Sequence, residues 1–122
     1  MAEARRLAAE KRGRRGESLA ALLLRLKGYR ILGRRVRTHA GEIDLIARAP
    51  AGPVCFIEVK ARADEALASD AIGSRQQARI ARAAELFLAS RPELAAKGAR
   101  FDVVAVRPGV LPRHIRDAWR PN

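Results

Sequence analysis

A chain of 122 residues has room for one domain around a single modest core. Its lone cysteine, Cys55, excludes an internal disulfide or a cysteine metal cluster, its 4% aromatic content argues against a platform of stacked bases, and no apolar run nears the roughly 18 residues of a membrane span. The formal net charge is +12, with +9 of it in residues 1–39, which points to a polyanion, most simply nucleic acid; an Arg-rich, Ala-rich composition also follows from a GC-rich genome. These bounds describe a single cytoplasmic domain over residues 1–122.

Residues 2–15 are helix-permissive but interrupted by Gly13 and Gly16, with Leu7 the only large apolar side chain. They read as a basic N-terminal arm that lies along a phosphate backbone or is simply solvated. Residues 17–27 read as a helix stopped by Gly28, with Leu19, Leu22, Leu23 and Leu26 on one face and Ala20, Ala21 and Leu24 over much of the rest, a helix covered on two sides with Ser18 and Arg25 as its polar edge. Glu17 aligns with Ala21 and Leu24, so it need not face bulk water, although a glutamate in a first turn also suits the helix dipole. Residues 29–38 alternate loosely as a first strand, broken or bulged at Gly33, with Arg34, Arg35 and Arg37 near its end. His39 has no second histidine or cysteine at zinc-ligand spacing.

Residues 41–47 (GEIDLIA) and 56–62 (FIEVKAR) have strand character and flank a turn with Pro50, Gly52 and Pro53, the pattern of a β-hairpin. Alternation puts Ile43 and Leu45 on one face of the first strand and Glu42, Asp44 and Ile46 on the other. On the second strand Val54, Phe56, Glu58 and Lys60 share a face. Charged groups within apolar strands need a partner or a ligand. Asp44, Glu58 and Lys60 can converge on one point, where two carboxylates suit a hard cation such as Mg²⁺ and a lysine can hold water or meet a phosphate.

Residues 63–73 are polar and small, the composition of a mobile loop. Residues 74–90 form a helix opened by a Ser74–Gln77 capping box. Its buried stripe is Ile80, Ala83, Ala84, Phe87 and Leu88, and Arg75, Arg79 and Arg82 line another face. Pro92 and Gly98 bracket a short helical turn. Residues 100–107 (RFDVVAV and Arg107) make a strand in which Asp102 needs a basic or backbone partner and is read as structural. Residues 114–119 make an edge strand whose Trp119 covers the core.

The spacing Asp44…Glu58-x-Lys60 resembles the PD-(D/E)xK nuclease superfamily, and the longer strings GEIDLIA, FIEVKAR and RFDVVAV resemble the small bacterial YraN family, also called UPF0102. The resemblance implies an α/β fold with a restriction endonuclease-like core, a mixed sheet flanked by helices in the order αβββαβ. It implies a metal-dependent endonuclease acting on DNA, with branched substrates as in resolvases. Asp44 and Glu58 would hold Mg²⁺ or Mn²⁺ with help from Glu17 and the Val59 carbonyl. Lys60 would orient the attacking water, and Gln77 would lie near the site. Arg34, Arg35, Arg37, Arg62, Arg75 and Arg79 would contact nucleic acid. One departure is Gln76, where the family often has lysine. Two-strand cutting by related resolvases leaves room for a homodimer. The other reading is a DNA- or RNA-binding module that uses this fold without cleaving.

Overall fold

The protein is known from a computed structural model that describes residues 2–61 and 72–121, with the side chains of residues 8–13 outside the described set. Arg62, expected to contact nucleic acid, and residues 63–71 of the expected loop also lie outside it. The elements run α1 (Ala2–Leu26), β1 (Arg30–Thr38), β2 (Gly41–Arg48), β3 (Val54–Ala61), α2 (Ser74–Ala89), α3 (Pro92–Ala95), β4 (Ala99–Val106) and β5 (Arg113–Trp119). This is the expected α/β order with a mixed sheet. The five strands lie in sequence order, antiparallel except for the β3–β4 pair, which is parallel. A parallel pair needs a crossover, and α2 with α3 supplies it.

The two helices cover opposite faces. On the α2 face Ile80, Ala83, Ala84 and Phe87 pack on Ile43, Ile46, Val54, Phe56, Phe101 and Val103. Aromatic contacts run from Phe87 through Phe56 to Phe101, and Trp119 lies 4.4 Å from the Phe101 ring, so the edge strand covers the core as expected. On the α1 face Ala20, Ala21 and Leu24 pack on Leu45, Ala47, Cys55, Ile57 and Val104. Small alanines let the helix axis approach the sheet closely, which an all-leucine face would prevent.

Three sequence expectations change. First, α1 is continuous from Ala2 to Leu26, so the basic segment is its first half, and Gly13 and Gly16 do not break it. Second, the expected leucine stripe is not the buried one. Leu19, Leu22 and Leu26 are 45%, 51% and 78% exposed, whereas Glu17, Ala20, Ala21 and Leu24 are buried. The i, i+3, i+4, i+7 stripe that begins at Glu17 lies opposite those leucines, and turning Glu17 inward fixes the rotation of the whole helix. Third, Ser74 is the first helical residue and Gly73 the N-cap, so no capping box forms. The Gln77 amide instead donates to the Ile72 carbonyl at 2.9 Å.

The expected bulge is present. Pairing of β1 with β2 shifts between Ile31 and Gly33, and a Cβ on Gly33 would meet Val36 at 2.6 Å. The hairpin turn also forms where expected, with Gly52 at φ +126° and its N–H donating to the Ala49 carbonyl.

Candidate functional site

The β2–β3 ladder runs over four pairs, from Arg48–Val54 to Leu45–Ile57. Beyond it Asp44 substitutes its side chain for the main-chain partner, and Oδ2 accepts the Val59 N–H at 2.8 Å. The departure also breaks strict alternation along β2: Ile43 packs on the α2 side and Leu45 on the α1 side, not on one face as simple alternation requires. Opposite this point Arg35 has φ +51°, the left-handed region, inside a strand. A non-glycine residue there costs on the order of 1–3 kcal/mol, and such strain gathers at functional sites.

This fork collects charged side chains from both faces of the sheet. From the α1 face comes Glu17, 6% exposed, held by the Arg35 Nε at 2.6 Å and 3.0 Å from its two carboxylate oxygens. From the α2 face comes Glu58, also 6% exposed, which accepts a hydrogen bond from the Gln76 amide at 3.2 Å. The same Gln76 accepts from Lys60 Nζ through its oxygen at 3.5 Å, so one amide bridges the glutamate and the lysine of the Glu-x-Lys motif. Asp44 stands between the two glutamates. It lines a cleft of about 330 Å³ with Gly16, Glu17, Arg35, Glu42, Val59, Ala61 and Val106.

Burial pushes the carboxyl pKa of Asp44 up against the Val59 N–H, and the negative charge of Glu17 pushes the same way. Burial raises that of Glu58 further, followed by repulsion from Asp44, with Lys60 opposing. Two contacting carboxylates that both resist ionisation form a pocket with too little positive charge. The donor set is hard oxygen, with a nearby lysine, and it fits a small divalent cation. Among the described residues no group of three or more His, Cys, Asp or Glu side chains is arranged to hold a metal ion. The reason is local: Glu17 and Glu58 reach Asp44 from opposite faces, and the Glu17 carboxylate is taken by Arg35.

The other expected site residues fall into two groups. Arg34 bonds the Ser18 hydroxyl at 3.0 Å and Arg37 pairs with Glu42 at 3.4 Å while staying 87% exposed. Arg75 and Arg79 are exposed along α2. Gln77, expected near the site, has its amide on the Ile72 carbonyl, and its neighbour Gln76 makes the contacts. The resemblance points to Gln77 and marks Gln76 only as a departure from the family's lysine, which gives Gln76 no role at the site. A helix that starts at Ser74 turns the third residue, not the fourth, toward β3.

Asp102 is enclosed, as a structural aspartate should be. It is fully buried and accepts from Arg100 at 2.9 and 2.8 Å, from His114 at 2.8 Å and from the Asp117 N–H at 3.0 Å. Burial works against its charge, but the His114, Arg100 and Asp117 hydrogen bonds outweigh it and hold the pKa down at about 2. Among the described residues no helix is long and apolar enough to cross a membrane.

Comparison with known proteins places this sequence among relatives. Residues 16–106 match the group described as uncharacterised protein family UPF0102. A UPF0102 protein of Maricaulis maris is 54% identical over 122 residues, covering 100% of this chain and 94% of the relative. Another, of Paramagnetospirillum magneticum, is 53% identical over 117 residues, covering 93% and 90%. A third, of Parvibaculum lavamentivorans, is 50% identical over 115 residues, covering 94% and 86%.

Proposed function

This chain belongs to the uncharacterised protein family UPF0102, and from the chemistry of its acidic fork we propose that it is a PD-(D/E)xK-type nuclease that hydrolyses DNA phosphodiester bonds with a divalent cation. The observation that carries the reading is the Asp44–Glu58 pair, a half-buried and a buried carboxylate on neighbouring strands, the first pushed toward its neutral form by burial and the Glu17 charge, the second by burial and the Asp44 charge. Asp44 and Glu58 would hold Mg²⁺ or Mn²⁺. When bound, such an ion supplies polarisation of a phosphate oxygen and a more acidic water.

The chain's own residues do the rest. The Val59 N–H fixes one Asp44 oxygen, leaving the other for a ligand. Gln76 holds Glu58 by its nitrogen and Lys60 by its oxygen, which sets the spacing of the acid and the ammonium. Lys60 orients the attacking water and offsets charge that develops on the phosphate. Glu17, tied to Arg35, keeps a second negative charge beside Asp44, which favours a cation there. Arg34, Arg37, Arg75, Arg79 and the basic half of α1 meet the flanking phosphates, giving binding that weakens with salt. Cutting both strands of a duplex calls for two such sites, hence two copies of the chain.

One observation favours a second reading, a DNA- or RNA-binding module without cleavage: Arg35 occupies the Glu17 carboxylate and so competes with an ion for it. The two separate by experiment. Labelled branched, duplex and single-stranded DNA are incubated with Mg²⁺, Mn²⁺ or EDTA, wild type beside Asp44→Asn. The nuclease reading expects metal-dependent products that disappear in the variant. Salt-sensitive binding with no products in any metal would leave the binding module.

A further inference from the structure

A second polar array lies apart from the fork, where the end of α1 meets β4 and β5. Asp102, accepting from Arg100, His114 and the Asp117 N–H, has no remaining capacity that is unengaged. A carboxylate only accepts, so His114 Nε2 carries a proton and its Nδ1 carries a lone pair. That lone pair faces Lys27 Nζ at 2.6 Å. The His114 side chain is 2% exposed, yet Lys27 at the other end of the bond is an exposed residue. Tyr29 completes the wall: its hydroxyl accepts from Arg100 at 2.7 Å, its ring meets His114 edge-on at 5.4 Å, and Lys27 Nζ lies 5.7 Å from the ring centre.

A structural network would end on a buried partner. This one ends on a solvent-accessible amine whose one hydrogen-bond partner among the described residues is a buried, aspartate-oriented imidazole. We infer that Lys27 is an activated amine, a modification site that takes an acyl group from small acyl phosphates. Asp102 holds the tautomer and His114 Nδ1 receives a proton from the Lys27 ammonium, the arrangement by which an oriented base activates a nucleophile. Partial burial lowers the Lys27 pKa first and the Arg116 charge adds to it; the Asp102 charge opposes them, and Arg100 adds a smaller push downward. The arginine charge that disfavours the ammonium also favours a dianionic donor.

The step balances. The Lys27 lone pair attacks the acyl carbon, the new C–N bond forms, and the C–O bond to phosphate breaks with its electron pair leaving on phosphate. Of the two protons the ammonium loses, one passes through His114 to solvent and one ends on the departing phosphate. The product is a neutral amide, so one positive charge is lost at the C-terminal end of α1, where a cation favours the helix dipole.

The chain has four lysines, which makes the test clean. The full-length protein is exposed to acetyl phosphate and acetylation at each lysine is followed over time by peptide mass spectrometry, with exposed Lys97 as internal reference. Lys27 is expected to react on the order of tenfold faster than Lys97, a modest share of what an oriented base can contribute. The excess should vanish in concentrated urea, a comparison that uses the wild type alone. In His114→Gln the Lys27 rate should fall to that of Lys97 while Lys97 is unchanged. A Lys27 rate at or below Lys97 in the folded chain overturns the inference, and so does an excess that survives His114→Gln.

Discussion

Asp102 and Glu58 are neighbours in the sheet and opposites in chemistry. The parallel register pairs Ile57 with Asp102 and Glu58 with Val103, so the two acids are one step apart on adjacent strands, facing opposite helices. Asp102 is met by a guanidinium, an imidazole and a main-chain N–H, and its carboxyl is held at about 2. Glu58 is met by another carboxylate, and its carboxyl is raised. One region of the fold has been completed by its own residues; the other has been left short of positive charge. Stability selects the first arrangement, and the cation site proposed above would account for the second.

The largest effect expected from this contrast is on cleavage. Asp44→Asn should lower metal-dependent DNA cutting by about 10³-fold, as loss of one preorganised charge-stabilising group does. It should leave the melting temperature equal to or above wild type, whereas loss of activity through unfolding would lower it. Next in size is the opposite response at Asp102. Asp102→Ala strands Arg100, whose side chain is only 20% exposed, and should destabilise the fold by about 3–5 kcal/mol in urea unfolding.

The hairpin, the closeness of Asp44, Glu58 and Lys60, the bulge at Gly33 and the edge strand under Trp119 rest on local signals and are in the structure, although alternation fails along β2 at Asp44, where Ile43 and Leu45 take opposite faces. The rotation of α1 was not legible. Leu19, Leu22 and Leu26 form the more apolar stripe, and only knowing that Glu17 must reach the fork would reverse the choice. Nor was the pairing of Arg35 with Glu17, which depends on a left-handed residue inside a strand, or the partners of Asp102, which come from β5 and from the residue two before it. Gln76 was hidden by one residue of helix phase. Local pattern fixes elements, and the long-range pairing of charges decides what each buried acid is for.

Smaller effects sharpen the comparison by pH. The Glu58 carboxyl is raised above its ordinary 4.5, so the fold favours its protonated form. Its contribution is fully present below the ordinary value and is lost as pH rises through the raised one. Glu58→Gln should therefore stabilise by about 1–2 kcal/mol at pH 8 and by almost nothing at pH 4, measured by paired urea titrations. Asp102 has the reverse sign. Its pKa is depressed from 3.8 to about 2, so its contribution is present above 3.8 and is lost as pH falls through about 2. Acid unfolding of the wild type should steepen over that window, and Asp102→Asn should flatten it. Gln76→Ala is expected to have the smallest effect, a fall of about tenfold in cleavage with stability within about 1 kcal/mol, because it releases Lys60 and Glu58 from a neutral bridge.

The proposal with most resting on it is that the Asp44–Glu58 fork binds a divalent cation. The most direct measurement is the melting temperature of wild type and Asp44→Asn at pH 8, each with Mn²⁺ in excess and with EDTA. A ligand that binds only the folded state raises stability by mass action, about 2.7 kcal/mol at a hundred times its dissociation constant. The account predicts a clear Mn²⁺-dependent rise for the wild type, and for Asp44→Asn a melting temperature at least as high as the wild type in EDTA that Mn²⁺ leaves unmoved. Equal shifts in both proteins, or none in the wild type, would contradict it.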